Sequence, residues 1–152
     1  MYYIKSKMNN TIFKLLEYSY YFSLLILFIL YLFPGSLIGY FLHGDLGQQP
    51  NLISNPIGTS INHLIFFFCL TTLGLIVRLK YQKFINSFTV LFSLSILLEL
   101  AHCLIPNRAF EFYDLFANSI GAVIAYLFCL IFFIKINNKK TFTTPALLAN
   151  RS

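Results

Sequence analysis

Charge is what this chain has least of. Of its 152 residues, 11% are charged, 58% are hydrophobic and 18% are aromatic. Soluble domains carry about 25% charged residues, so an ordinary soluble domain is excluded. The acids are five: Glu17, Asp45, Glu99, Glu111 and Asp114. The cysteines are three, Cys69, Cys103 and Cys129, without the paired spacing of a disulfide framework or a thiolate metal site. They read as small buried apolar side chains. No G-x-S-x-G, H-E-x-x-H or Walker loop occurs, so no recognised nucleophile, metalloprotease or nucleotide site is present. Internal repeats and low-complexity segments are also missing. The net charge of +6 does not make a nucleic-acid binder, because its Lys and Arg residues do not cluster on a soluble module.

What is present is long apolar runs. A hydrocarbon core of about 30 Å needs roughly 20 helical residues, and residues 15–33, 61–79, 84–105 and 115–136 meet that length. Leu, Ile and Phe dominate them without strand-like alternation, which favours helices over a β-barrel. The expected fold is all-α, an integral membrane four-helix bundle. The first run follows Lys5, Lys7 and Lys14 like a signal peptide, but it is longer than an h-region and has no small-residue cleavage site. It reads as a retained helix.

Lys and Arg set the orientation. In a four-span topology Lys5, Lys7, Lys14, Arg78, Lys80, Lys83, Lys135, Lys139, Lys140 and Arg151 all fall on one side, and Arg108 alone falls on the other. The positive-inside rule then places both termini in the cytoplasm. The chain divides into an amino-terminal tail (1–14), a four-span domain (15–136) and a carboxy-terminal tail (137–152). The outer connection 34–60 is rich in Gly and Pro; within it residues 36–42 are apolar but too short to span.

The polar residues beside the membrane concentrate in ELAHCLIPNRAFEFYDLFANSIG, residues 99–121. Glu99 and His102 are three apart and share a helix face. Glu99 lies about 10 Å along the axis before the break at Pro106. Arg108 follows in the turn, and Asp114 stands where a carboxylate suits a helix N-terminus. Asp114, Asn118 and Gly121 form one stripe, whose small residue permits close helix approach. His63, at the outer end of the second run, reaches the same rim. The candidate ligand-binding residues are therefore His63, Glu99, His102, Arg108, Asp114 and Asn118. His63, His102 and Glu99 are suitable metal donors, but their spacing matches no metal motif, and neither metal nor cofactor is expected.

This stretch resembles the VanZ-like family, whose pattern is E-x-x-Q-x-x-x-P-x-R-x-x-x-x-x-D-x-x-x-N-x-x-G. Glu99, Pro106, Arg108, Asp114, Asn118 and Gly121 fit it with every interval kept. His102 stands where the family has Gln. Thr59-Ser60-Ile61-Asn62-His63 keeps the family's earlier His without its Asp-Lys pair. The resemblance implies a small multi-pass protein of the bacterial inner membrane, with some relatives linked to resistance to the glycopeptide teicoplanin.

Three function classes follow. One is recognition of an anionic headgroup, on a membrane lipid or lipid-linked cell-wall precursor, with Arg108 as the bidentate donor. The second is an enzyme on such a substrate, with Glu99 or Asp114 as acid or base and Arg108 as electrostatic clamp. The third is a structural subunit in which Arg108 pairs with Glu99 or Asp114 to clasp helices. Homo-oligomerisation stays open, and no nucleic-acid partner is expected.

Overall fold

Proline and serine mark some of the helix ends: Pro34 follows the first helix, and Ser36 and Ser87 each cap a later one. The computed structural model describes residues 10–48 and 58–141. Helix α1 (Asn10–Leu32) stops before Phe33-Pro34-Gly35, where proline would remove a helical hydrogen bond and Gly35 adopts a φ of +92°. A seven-residue helix, α2 (Leu37–His43), follows. Ser36 caps it by accepting a hydrogen bond from the Gly39 amide at 2.9 Å, and Gly44, at φ +71°, closes it. Helix α3 (Gly58–Tyr81), helix α4 (Phe88–Ala101) and helix α5 (Phe112–Thr141) complete the chain. No strand occurs among the described residues.

Three segments are long and apolar enough to cross a membrane: Asn10–Leu32, Ser60–Tyr81 and Phe112–Lys135. The third expected span is shorter than its sequence indicates. Phe84–Asn86 forms a 3-10 turn, Ser87 caps α4, and His102–Leu104 forms a second 3-10 turn. The 14 residues of α4 extend about 21 Å, less than a hydrocarbon core. The cause is local: the hydroxyl of Ser87 accepts from the Val90 amide at 3.4 Å and so starts the helix four residues late. Helix α1 begins before the expected residue 15, and α5 continues past the expected residue 136 to Thr141. Residues 1–9, 49–57 and 142–152, which include most of both expected tails and part of the outer connection, lie outside the described residues.

In lipid, apolar side chains gain little by leaving hydrocarbon for a neighbouring helix, so association depends on close packing and polar contacts. Large apolar side chains such as Phe22, Leu97, Ile131 and Phe132 accordingly point outward. Packing is closest between α3 and α5. Helix α5 buries a stripe of small residues, Ala117, Asn118, Ala122, Ala125 and Cys129, spaced at helical intervals. Gly121 lies on it too, and a Cβ there would collide with the Leu64 carbonyl of α3. The inner face of α4 presents Leu91, Ser95, Leu98 and Glu99. Tyr20, Leu24 and Leu27 of α1 and Phe67, Leu70 and Val77 of α3 fill the centre.

The two ends of the bundle differ in chemistry. At one, Lys83 pairs with Glu17 at 2.7 Å and Lys80 donates to Asn10 at 2.6 Å, both lysines lying over aromatic rings of Phe13, Tyr21 and Tyr81. The hydrogen bond to Glu17 holds the Lys83 ammonium protonated above its ordinary range. At the other end, Tyr31, His63, Glu99, Asp114 and Asn118 meet.

The α3–α5 contact yields a prediction. Alanine normally gains about 1 kcal/mol over glycine within a helix. At Gly121 it strikes backbone that cannot rotate away, so Gly121→Ala is expected to destabilise by about 1–3 kcal/mol. At Gly74 the added Cβ meets only the Tyr20 ring and a Leu91 methyl, so Gly74→Ala costs less. Thermal unfolding of both variants in detergent checks the order.

Candidate functional site

The polar end is assembled from four helices. Glu99, on the inner face of α4, is fully buried. Its Oε1 lies 3.2 Å from His102 Nδ1, one turn on, and accepts from the Glu111 amide at 3.3 Å. Its Oε2 accepts from Asn118 Nδ2 of α5 at 3.4 Å. Asn118 is fully buried as well, and the same Nδ2 reaches the Ser95 carbonyl at 3.5 Å. This fixes the amide so that Oδ1 faces α1 and α3. There Oδ1 accepts from the Tyr31 hydroxyl at 3.0 Å and lies 3.2 Å from His63 Nδ1. Tyr31 Oη and His63 Nδ1 are 2.7 Å apart. Asn118 thereby joins all four long helices.

Asp114 occupies the first turn of α5, 4% exposed. Instead of capping its own helix, its carboxylate turns to α3: Oδ1 accepts from Ser60 Oγ at 2.6 Å, and Oδ2 lies 3.5 Å from His63 Nε2. His63, Glu99 and Asp114 each offer a ligand atom, and those atoms all lie within 4.8 Å of one another. His102 stacks on the Tyr31 ring, centroids 5.2 Å apart, and its buried Nε2 has no hydrogen-bond partner among the described residues.

Arg108 does not form the clasp that the structural-subunit reading requires. It forms no ion pair among the described residues. Its guanidinium donates from Nε to the Phe33 carbonyl at 3.4 Å and from Nη2 to the Leu30 carbonyl at 2.5 Å. These carbonyls belong to the end of α1, where backbone acceptors lack helical partners and a cation is favoured. Arg108 therefore closes α1 and leaves Glu99 and Asp114 to the histidines. Burial pulls its guanidinium below the ordinary range, opposed by Tyr31 and Glu99, yet arginine stays charged.

A cavity of about 140 Å³ adjoins the cluster, between α2 and the end of α1. His63, His102, Arg108 and Asn62 supply polar lining, while Leu37 and Phe66 are among the apolar residues opposite.

A family model described as VanZ/LLP1 matches residues 7–133. The chain belongs to the VanZ/LLP1 family. With three helices of spanning length, it is a membrane protein. No curated protein and no solved structure matches it significantly.

The VanZ/LLP1 motif residues have separable positions. Glu99, Asp114 and Asn118 meet in the cluster, Gly121 sits at the α3–α5 contact, and Arg108 lies on the end of α1. His102, where the family pattern has Gln, bonds Glu99. His63 joins from α3 through both ring nitrogens. Tyr31 and Ser60 are central here and were not singled out from sequence. The only signal for them was unmet demand: a buried Asn and a buried Asp require partners, and polar residues ending two apolar runs could have been matched to them.

Glu111 reports on this charge. Burial, then the carboxylates of Asp114 and Glu99, raise its pKa above the ordinary carboxylate range. The folded protein thus holds this proton more tightly than the unfolded chain, and its contribution to stability falls as pH rises through the raised value. Glu111→Gln lacks that loss. It is expected to melt above wild type at neutral pH, with the difference shrinking as pH drops into the ordinary carboxylate range. Melting curves of both proteins from neutral to acidic pH check this.

Proposed function

We propose that this protein binds the anionic headgroup of a membrane lipid or lipid-linked cell-wall precursor, at the outer face of a bacterial inner membrane and without chemistry. Arg108, placed on the wall of a half-apolar cavity with its charge unspent on any carboxylate, is the observation that carries this reading. Its Nη1 has no partner among the described residues, and Nε and Nη2 are held by α1 carbonyls. The guanidinium is therefore fixed before a ligand arrives, which lowers the ordering cost of binding. The apolar wall suits the start of an acyl or prenyl chain, and 140 Å³ corresponds to the liquid volume of about five waters, enough for a compact headgroup.

Orientation in this reading follows the Lys and Arg distribution, with both termini cytoplasmic. The enzyme alternative has less support: the chain offers carboxylates but no nucleophile motif. Nothing in the geometry ties the site to teicoplanin in particular.

The test is lipid retention. After purification in detergent, mass spectrometry of extracted lipid is expected to show one anionic species enriched over the bulk membrane. Arg108→Gln should lose that enrichment about tenfold or more, as removal of a charge-assisted contact of about 1.5–3 kcal/mol implies. Equal lipid profiles for wild type and variant would contradict the proposal.

A further inference from the structure

Two carboxylates are buried close together here, and among the described residues no Lys or Arg pairs with them. Glu99 and Asp114 are 0% and 4% exposed, and the nearest arginine, Arg108, is turned to backbone carbonyls. A buried anion persists only when paired or when it coordinates a metal. The groups facing the carboxylates are His63, His102, Ser60, Asn118 and the Glu111 amide.

The hydrogen-bond network around His63 accommodates a proton on Nδ1. Tyr31 gives its only proton to Asn118 Oδ1, and that oxygen is an acceptor because Nδ2 is committed to Glu99 and Ser95. His63 Nδ1 faces these two oxygens at 2.7 and 3.2 Å, and a proton on Nδ1 serves both. Its Nε2 then directs a lone pair at Asp114 Oδ2, 3.5 Å away. Either a second proton on the imidazole or a metal ion satisfies both lone pairs, and only the ion would also engage Glu99. Two ligands bound at about 2.1 Å to a tetrahedral ion are separated by about 3.4 Å, close to the 3.5 Å between His63 Nε2 and Asp114 Oδ2, with a Glu99 oxygen within 4.8 Å of both. The Tyr31 hydroxyl on Nδ1 is the outer-shell partner that ligating histidines use to hold ring and tautomer.

We infer that His63, Glu99 and Asp114 form a binding site for a divalent metal ion of the zinc class. One imidazole and two carboxylates are donors suited to Zn²⁺, and three protein ligands leave a coordination position for a water or ligand oxygen. Ser60 and Asn118 hold the carboxylates, and the unpartnered His102 Nε2 is a further buried donor lining the adjoining cavity. The inference stands without the headgroup reading, and its test contains no added lipid.

Chelator-stripped protein in detergent is titrated with Zn²⁺, and the bound ion is counted after desalting; Co²⁺ replaces it for visible absorption. One Zn²⁺ per chain is expected, with d–d bands of low-coordinate Co²⁺. His63→Ala, Glu99→Gln and Asp114→Asn should each weaken binding about tenfold or more, with circular dichroism reporting helix content. Cys69→Ser with Cys103→Ser, which removes the exposed thiols, should leave binding intact. The wild-type Co²⁺ spectrum is decisive even where a variant fails to fold. Absence of a retained ion, binding that persists in all three ligand variants, or thiolate charge-transfer bands would overturn the inference.

Discussion

A carboxylate cannot lie in an apolar interior without donors or positive charge around it, and this bundle holds two. Glu99 and Asp114 enter from α4 and α5, and everything near them is arranged to meet that demand. Asn118 supplies one amide hydrogen to Glu99 and, with its other end, receives Tyr31. Ser60 and His63 come from α3, and His102 and the Glu111 amide follow from the α4–α5 connection. Because lipid tails offer no hydrophobic drive for helix association, these bonds and the Gly121 contact specify which helix faces meet. The short α4 fits the same requirement: its end brings Glu99 and His102 to the level of Asp114, with the 3-10 turn completing the approach.

Arg108 shows how charge is divided at this end. A cation nine residues from one buried anion and six from the other would be expected to pair with them, and it instead lies on the open carbonyls of α1. The end of α1 is thereby tied to the α4–α5 turn, under α2, and the guanidinium remains electrostatically available at the cavity. The carboxylates and Arg108 form two adjacent sites of opposite sign. In the two proposals the first holds a metal ion and the second an anionic headgroup, and His63, His102 and Arg108 line the same cavity.

Much of the fold was legible because hydrophobic length is a direct consequence of membrane thickness: α1, α3 and α5 are recognisable from apolar runs alone. Helix α4 was overestimated, since capping by Ser87 and tightening to 3-10 geometry at His102 are hydrogen-bond effects that an apolar count ignores. In the site, Glu99, Asp114 and Asn118 stand out because ionisable and amide groups beside hydrocarbon are costly. Tyr31 and Ser60 do not, since a tyrosine or serine at a helix end is common and only the partner 87 or 54 residues away gives it a role. The alternative of an Arg108 salt bridge fails for the same reason: charge complementarity is visible in sequence, whereas a helix end short of hydrogen-bond donors is visible only in three dimensions. Metal-ligand spacing was equally silent, because the three donors come from three helices.

The central claim is that the polar end acts as one network joined through Asn118. A double-mutant cycle between Tyr31→Phe and Glu99→Gln tests it most directly, because these side chains share Asn118 as a hydrogen-bond partner. Unfolding free energies of wild type, both single variants and the double variant should give a coupling of about 0.5–3 kcal/mol. Additivity within about 0.3 kcal/mol would contradict the account and reduce the cluster to independent local contacts.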